Sequence, residues 1–90
     1  MVHDRIVKEL FAYKSLAALI FLIDAGRELE FVRRNERYFI SRSGSAEYVS
    51  LWHDNREYSF GSVPELIGNL SLENETFLMI WSEAEPETLF

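Results

Sequence analysis

The residues of this 90-residue chain that could do chemistry are few and scattered. His53 is followed by Asp54, and a carboxylate beside an imidazole can orient it for proton transfer. On an extended strand, however, adjacent side chains leave opposite faces, so this pair does not form a dyad and reads as polar punctuation beside a turn. His3 lies near the start of the sequence with no second histidine at helical spacing. A metal centre needs three or four converging ligands, and none are spaced for it. The absence of cysteine removes a thiol nucleophile, a thiolate zinc site and any disulfide framework. Ser41-Arg42-Ser43-Gly44-Ser45 has the composition of a phosphate-cradling loop. It lacks the Walker spacing and the closing Lys-Ser/Thr, and it joins two strands instead of opening a helix. No Gly-x-Ser-x-Gly elbow occurs. The acid pairs Glu28/Glu30 and Glu83/Glu85 could be drawn as acid and base, but they read as solvated charges of a strand and a tail. The expectation is therefore no catalytic residue, no metal ligand and no cofactor.

Rings offer more. Two pairs of short apolar segments, 29–33 with 37–41 and 48–53 with 56–60, flank the turn dipeptides Arg34-Asn35 and Asp54-Asn55. Two-residue turns pair Phe31 with Tyr38, Leu29 with Ile40, Leu51 with Tyr58 and Val49 with Phe60. Arg33 then faces Glu36 across the hairpin mouth. Alternation gathers Leu29, Phe31, Tyr38, Ile40, Val49, Leu51, Tyr58 and Phe60 on one face, the core. The connection Arg42–Ala46 joins the hairpins into a meander, expected with Ile40 opposite Val49 and Tyr38 opposite Leu51. The other face carries Glu30, Val32, Arg37, Phe39, Tyr48, Ser50, Trp52, Glu57 and Ser59. In that register Arg37 lies opposite Trp52, within reach of a cation–π contact. Aromatic residues and Arg inside a polar rim are the composition of an interface, so Val32, Arg37, Phe39, Tyr48 and Trp52 are the candidate protein-binding residues. The alternative is that the Phe77–Trp81 segment or the tail folds over this face as a third layer.

The elements that position the sheet are helical. Asp4 to Ala25 contains neither Gly nor Pro. Ile6, Leu10, Tyr13, Ala17 and Ile20 repeat at three- and four-residue spacing, predicting one long helix with Asp4 as N-cap and Gly26 as its stop. Its second half is apolar nearly all round, which places it deep against the sheet or partly in an interface. Ser62 with Glu65 is a capping box, and Pro64 falls in the first turn of a short helix ending near Leu70. Asn74 is a possible cap for a helix to Ser82, although Thr76–Trp81 would equally suit a buried strand. Glu83–Phe90 is an acidic tail whose apolar end is expected to tuck back. The fold class is α+β: a long N-terminal helix on a four-stranded antiparallel meander, followed by one or two short C-terminal helices, all within a single domain spanning 1–90.

Composition limits the partners. Fifteen acidic residues against nine basic give a net charge of −6, unsuited to nucleic acid or an anionic membrane. The longest apolar run, Leu16–Ile23, is far short of the roughly 20 residues a membrane helix needs. No cleavable leader pattern is evident either.

Gly26-Arg27-Glu28-Leu29-Glu30-Phe31, Tyr38-Phe39-Ile40-Ser41, Glu57-Tyr58-Ser59-Phe60 with Glu65-Leu66, Phe77-Leu78-Met79-Ile80-Trp81 and Leu89-Phe90 together resemble a set of small uncharacterised bacterial proteins, mainly from Firmicutes. The likeness spans about residues 26–90 and consists of structural positions. Where those proteins often carry Asn-Gly at the first hairpin, this chain has Arg34-Asn35. The resemblance implies a cytoplasmic bacterial protein and transfers no activity, substrate or site residue. The expected function is a non-enzymatic protein–protein interaction module, its partner an unidentified protein. One alternative is a small-ligand or enzymatic pocket between helices and sheet, lined by Tyr58, His53 and Arg56. Another is self-association as a homodimer through the outer sheet face.

Overall fold

The computed structural model describes residues 2–44 and 47–90. The fold is α+β, with an N-terminal helical segment, an antiparallel sheet and short helices after it. The helical segment, expected as one helix, is two: α1 (Val2–Tyr13) and α2 (Leu16–Asp24). The break has a local cause. Lys14 turns left-handed at φ 53°, its N–H donating back to the Leu10 carbonyl at 2.9 Å. Ser15 then caps α2, its hydroxyl accepting from the Ala18 N–H at 3.1 Å. Apolar periodicity on both sides of Lys14-Ser15 hides this cap. The end of α2 is as expected. Gly26 at φ 91° donates to the Ile23 carbonyl and Arg27 to that of Leu22, a Schellman stop.

The sheet begins with β1 (Leu29–Arg33), β2 (Glu36–Arg42), β3 (Val49–His53) and β4 (Arg56–Phe60), forming the expected meander. Both hairpins have the expected pairings, including Phe31 with Tyr38 and Leu51 with Tyr58. Arg34, Asn35, Asp54 and Asn55 all have φ between 52° and 64°, the signature of mirror-image two-residue turns. Between the hairpins the register differs from expectation by two residues. Ile40 lies opposite Leu51 and Tyr38 opposite His53, because pairing runs on to a Ser43 N–H donating to the Tyr48 carbonyl at 2.9 Å. The connection is thereby shifted toward Glu47, which is left-handed at φ 53°. A slip of two preserves parity, so both faces keep their residues and only the cross-strand neighbours change.

After α3 (Val63–Asn69) come three elements that differ from expectation. The strands β5 (Ser71–Leu72) and β6 (Glu75–Thr76) form a minimal hairpin around Glu73-Asn74, a third left-handed pair at φ 50° and 69°. Asn74 is thus a turn residue, not a cap. The cap of α4 (Phe77–Ser82) is Thr76, whose hydroxyl accepts from the Met79 N–H at 3.3 Å. The acidic tail is β7 (Glu85–Leu89), a fifth strand antiparallel to β1 with one irregularity between Glu30 and Phe31. The sheet order is β4-β3-β2-β1-β7.

The core follows the alternation of the strands. Leu29, Phe31, Ile40, Val49 and Leu51 are fully buried and Tyr38 nearly so, with Tyr58 and Phe60 half-buried at the β4 edge. Leu10 of α1, Leu19, Leu22 and Ile23 of α2, Val63 and Leu66 of α3, and Phe77, Ile80 and Trp81 of α4 complete the same cluster. All four helices therefore cover one face, and the domain has two layers. Reciprocal bonds lock the helix break to α4. Trp81 Nε1 donates to the Lys14 carbonyl at 3.0 Å, while Lys14 Nζ donates to the carbonyls of Trp81 and Ser82 at 2.9 and 3.0 Å. Among the described residues no helix is long and apolar enough to cross a membrane.

Candidate functional site

Strand alternation delivers the expected rings to the uncovered face. Phe39 of β2 lies directly opposite Trp52 of β3, and Trp52 is 40 % exposed. Cross-strand aromatic pairs of this kind stabilise a sheet modestly while leaving ring surface to solvent. Phe90, just past β7, sets its ring against Phe39 at 6.0 Å in an edge-on arrangement. The tail thus contributes to the aromatic face without forming a third layer, and Phe77–Trp81 belongs to the opposite, buried side. Tyr48 and Val32 are half-buried at either side of the pair.

Arg37 departs from expectation. It pairs with Val32 of β1 as the first hairpin requires, but Trp52 on the β3 side lies opposite Phe39, and the Arg37 Nη1 donates to Glu30 at 3.0 Å and to Glu87 of β7 at 2.9 Å. The two-residue register difference is the cause: it moves Trp52 from Arg37 to Phe39. The hydrogen bond to Glu87, then the charge of Glu30, raise the Arg37 guanidinium above its ordinary pKa. A cation flanked by two acids therefore rims the rings. A shallow groove of about 420 Å³ runs along Glu30, Arg37, Phe39 and Trp52 to the Asp54-Asn55 turn. Ser50, two residues before Trp52 on β3, is buried and its hydroxyl donates to Glu57 at 2.6 Å, with the Ser59 hydroxyl 2.9 Å away.

The other side of the hairpin ends holds the alternative site. Tyr58, His53 and Arg56, expected together, do line one cavity of about 250 Å³, with Arg33, Tyr38 and Leu72. Its chemistry is largely spoken for. The His53 ring stacks on Tyr38 at 4.1 Å, its Nδ1 donates to the Arg37 carbonyl at 3.1 Å, and Nε2 is 3.4 Å from Glu36. His53 does not engage Asp54, as strand parity requires. Arg33 faces Glu36 across the hairpin as expected, but its side chain is 4 % exposed and held in two forks to other carboxylates. One runs to Glu75 of β6 through Nη1 and Nη2, the other to Glu83 through Nε and Nη2. The bond to Glu75 raises the Arg33 guanidinium above its ordinary range, against burial, which acts the other way. The same bonds lower the carboxyl groups of Glu75 and Glu83.

Other residues considered for chemistry have structural partners. His3 Nε2 accepts from Arg27, whose Nε donates to the Phe90 carbonyl at 2.6 Å, tying α1 to the end of the chain. Ser41 and Arg42 belong to β2, and Arg42 pairs with Asp24 at 3.2 Å. Ser45 and Ala46, also in that connection, lie outside the described residues. Among the described residues no three His, Cys, Asp or Glu side chains converge as a metal site. The clamp of Arg33 was not legible beforehand. Its only sequence signal is an Arg at a core-facing strand position, the parity shared by Leu29 and Phe31.

Comparison with protein-family models, curated proteins and solved structures finds no match to this chain.

Proposed function

We propose that this chain is a non-enzymatic interaction module of a cytoplasmic bacterial protein, which binds another protein through the open sheet face at Val32, Arg37, Phe39, Tyr48 and Trp52. The observation that carries this reading is the Phe39–Trp52 pair, left uncovered because all four helices pack on the opposite face. Large rings that lose little side-chain freedom on contact, beside an Arg held between two acids, supply both apolar area and orientation. The groups best suited to proton transfer or anion binding, His53 and Arg33, are engaged by the protein itself, which favours binding over catalysis. The charge of −6 favours a partner with a basic rim over nucleic acid.

Affinity capture from the native cells tests this, with Tyr48→Ser/Trp52→Ser as the control bait. One protein should be retained by the native chain and lost from the variant, whose melting temperature should stay within about 4 °C. Collapse of the variant's stability would show that the rings serve the core. Equal capture by both baits would move the interface elsewhere.

A further inference from the structure

The two edges of the sheet are unlike. The β7 edge carries Pro86, which has no N–H, an irregular register, and the charge of Glu85. These features discourage strand addition. The β4 edge has no proline and pairs regularly with β3 along its whole length. In a hairpin closed by two residues, the pair flanking the turn is hydrogen-bonded and the pairs then alternate. Arg56, Tyr58 and Phe60 therefore direct their backbone groups to β3, and Glu57 and Ser59 direct theirs outward. A charged side chain at such an edge would ordinarily guard it. Here Glu57 is drawn back over the sheet by the Ser50 hydroxyl at 2.6 Å, with Ser59 beside the same hydroxyl at 2.9 Å. The outward N–H and C=O groups of Glu57 and Ser59 are left clear. On the core side of this edge Tyr58 and Phe60 remain only half-buried.

We propose that β4 is the docking edge for a second copy of this chain, joined antiparallel across a two-fold axis at Tyr58. Among two-fold registers, this one alone sets both outward-facing residues against each other, Glu57 opposite Ser59 of the second copy. Four backbone hydrogen bonds follow from those two pairs. The register centred one residue earlier opposes Glu57 to its own copy, a like-charge contact, and the one centred later leaves Glu57 opposite Gly61. Centred at Tyr58, the two Tyr58 rings meet in a close, non-hydrogen-bonded pair, and Arg56 faces Phe60 of the second copy, a cation over an apolar ring. Because β7 resists strand addition, the contact closes as a dimer and does not propagate. The ring-bearing face stays open, and the two sheets become one with paired copies of that face.

Sedimentation of the full chain over a roughly hundredfold concentration range should show a monomer–dimer equilibrium. Ser59→Glu sets like charges opposite at both pairs and should weaken the dimer at least about tenfold. Glu57→Lys/Ser59→Glu restores opposite charges only in this register, and should return affinity to within a few-fold of the native value. Amide exchange at Glu57 and Ser59 should slow at least about tenfold as dimer fills, while Tyr58 and Phe60, bonded to β3, stay protected throughout. Monomer at every concentration overturns the proposal. So does a dimer indifferent to Ser59→Glu, one not rescued by the charge exchange, or one abolished by Trp52→Ser, which would put the contact on the sheet face.

Discussion

Lys14 shows how much one residue can carry. A left-handed backbone on a side chain with a Cβ costs about 1–2 kcal/mol, yet the residue is held there by three bonds to α4. Its ammonium lies on the last carbonyls of that helix, where positive charge is favoured. Lys14→Met removes both Nζ bonds and keeps the backbone conformation, and urea unfolding should register a loss of about 1–2 kcal/mol. Lys14→Gly removes the same bonds but relieves the left-handed strain, so it should be the milder of the two. A Gly variant worse than Met would mean that the lysine stem contributes more than its charge. The position was not legible in sequence because its partners lie some 67 residues away, and nothing local distinguishes it from any other lysine on a helix.

At the scale of elements, the chain is organised by its turns. Arg34-Asn35, Asp54-Asn55 and Glu73-Asn74 are all left-handed pairs ending in Asn, whose short amide tolerates positive φ better than most side chains. Two were legible because apolar alternation flanks them. The third was read as a cap because its strands are two residues each, too short to show a period. That small hairpin brings Glu75 to Arg33, while the end of α4 brings Glu83. The clamp should make stability acid-sensitive. Both carboxyl groups are lowered from an ordinary value of 4.5 by Arg33. Their contribution is therefore complete above that value and is lost as pH falls through their lower folded pKa values. Melting temperature should fall as pH drops below about 4.5, and the fall should be visibly shallower in Glu75→Gln, measured by circular dichroism at matched ionic strength. An equal slope in both proteins would assign the acid sensitivity to other carboxylates.

For the whole molecule, the division into an inside and an outside was readable from parity alone, since a two-residue change in register moves neighbours but never faces. What could not be read was β7. An acidic segment with a proline has no strand signature of its own, and it becomes a strand because β1 offers an unpaired edge. Nor could the row of rings through the core be foreseen. His53, Tyr38 and Phe31 stack at 4.1 and 5.0 Å, Trp81 meets Phe31 edge-on at 5.3 Å, and Phe77 follows at 5.7 Å. Phe31 is the point where sheet and α4 join. Phe31→Ala should cost about 3–5 kcal/mol, much of the total stability of a domain this size. Near-ultraviolet circular dichroism and denaturant melts should report the loss together. A smaller loss would mean that Trp81 swings into the space.

The pairing of β7 with β1 also has a consequence in time. Tight hairpins close in microseconds, whereas strands separated by roughly fifty or more residues must wait for the intervening chain to arrange itself. During refolding β1 should therefore spend an interval as a bare margin, with Leu29 and Phe31 paired to β2 but without a neighbour on the β7 side. Precipitation on dilution from urea should rise with protein concentration in that interval, and a synthetic peptide copying 85–90, added in excess, should suppress it.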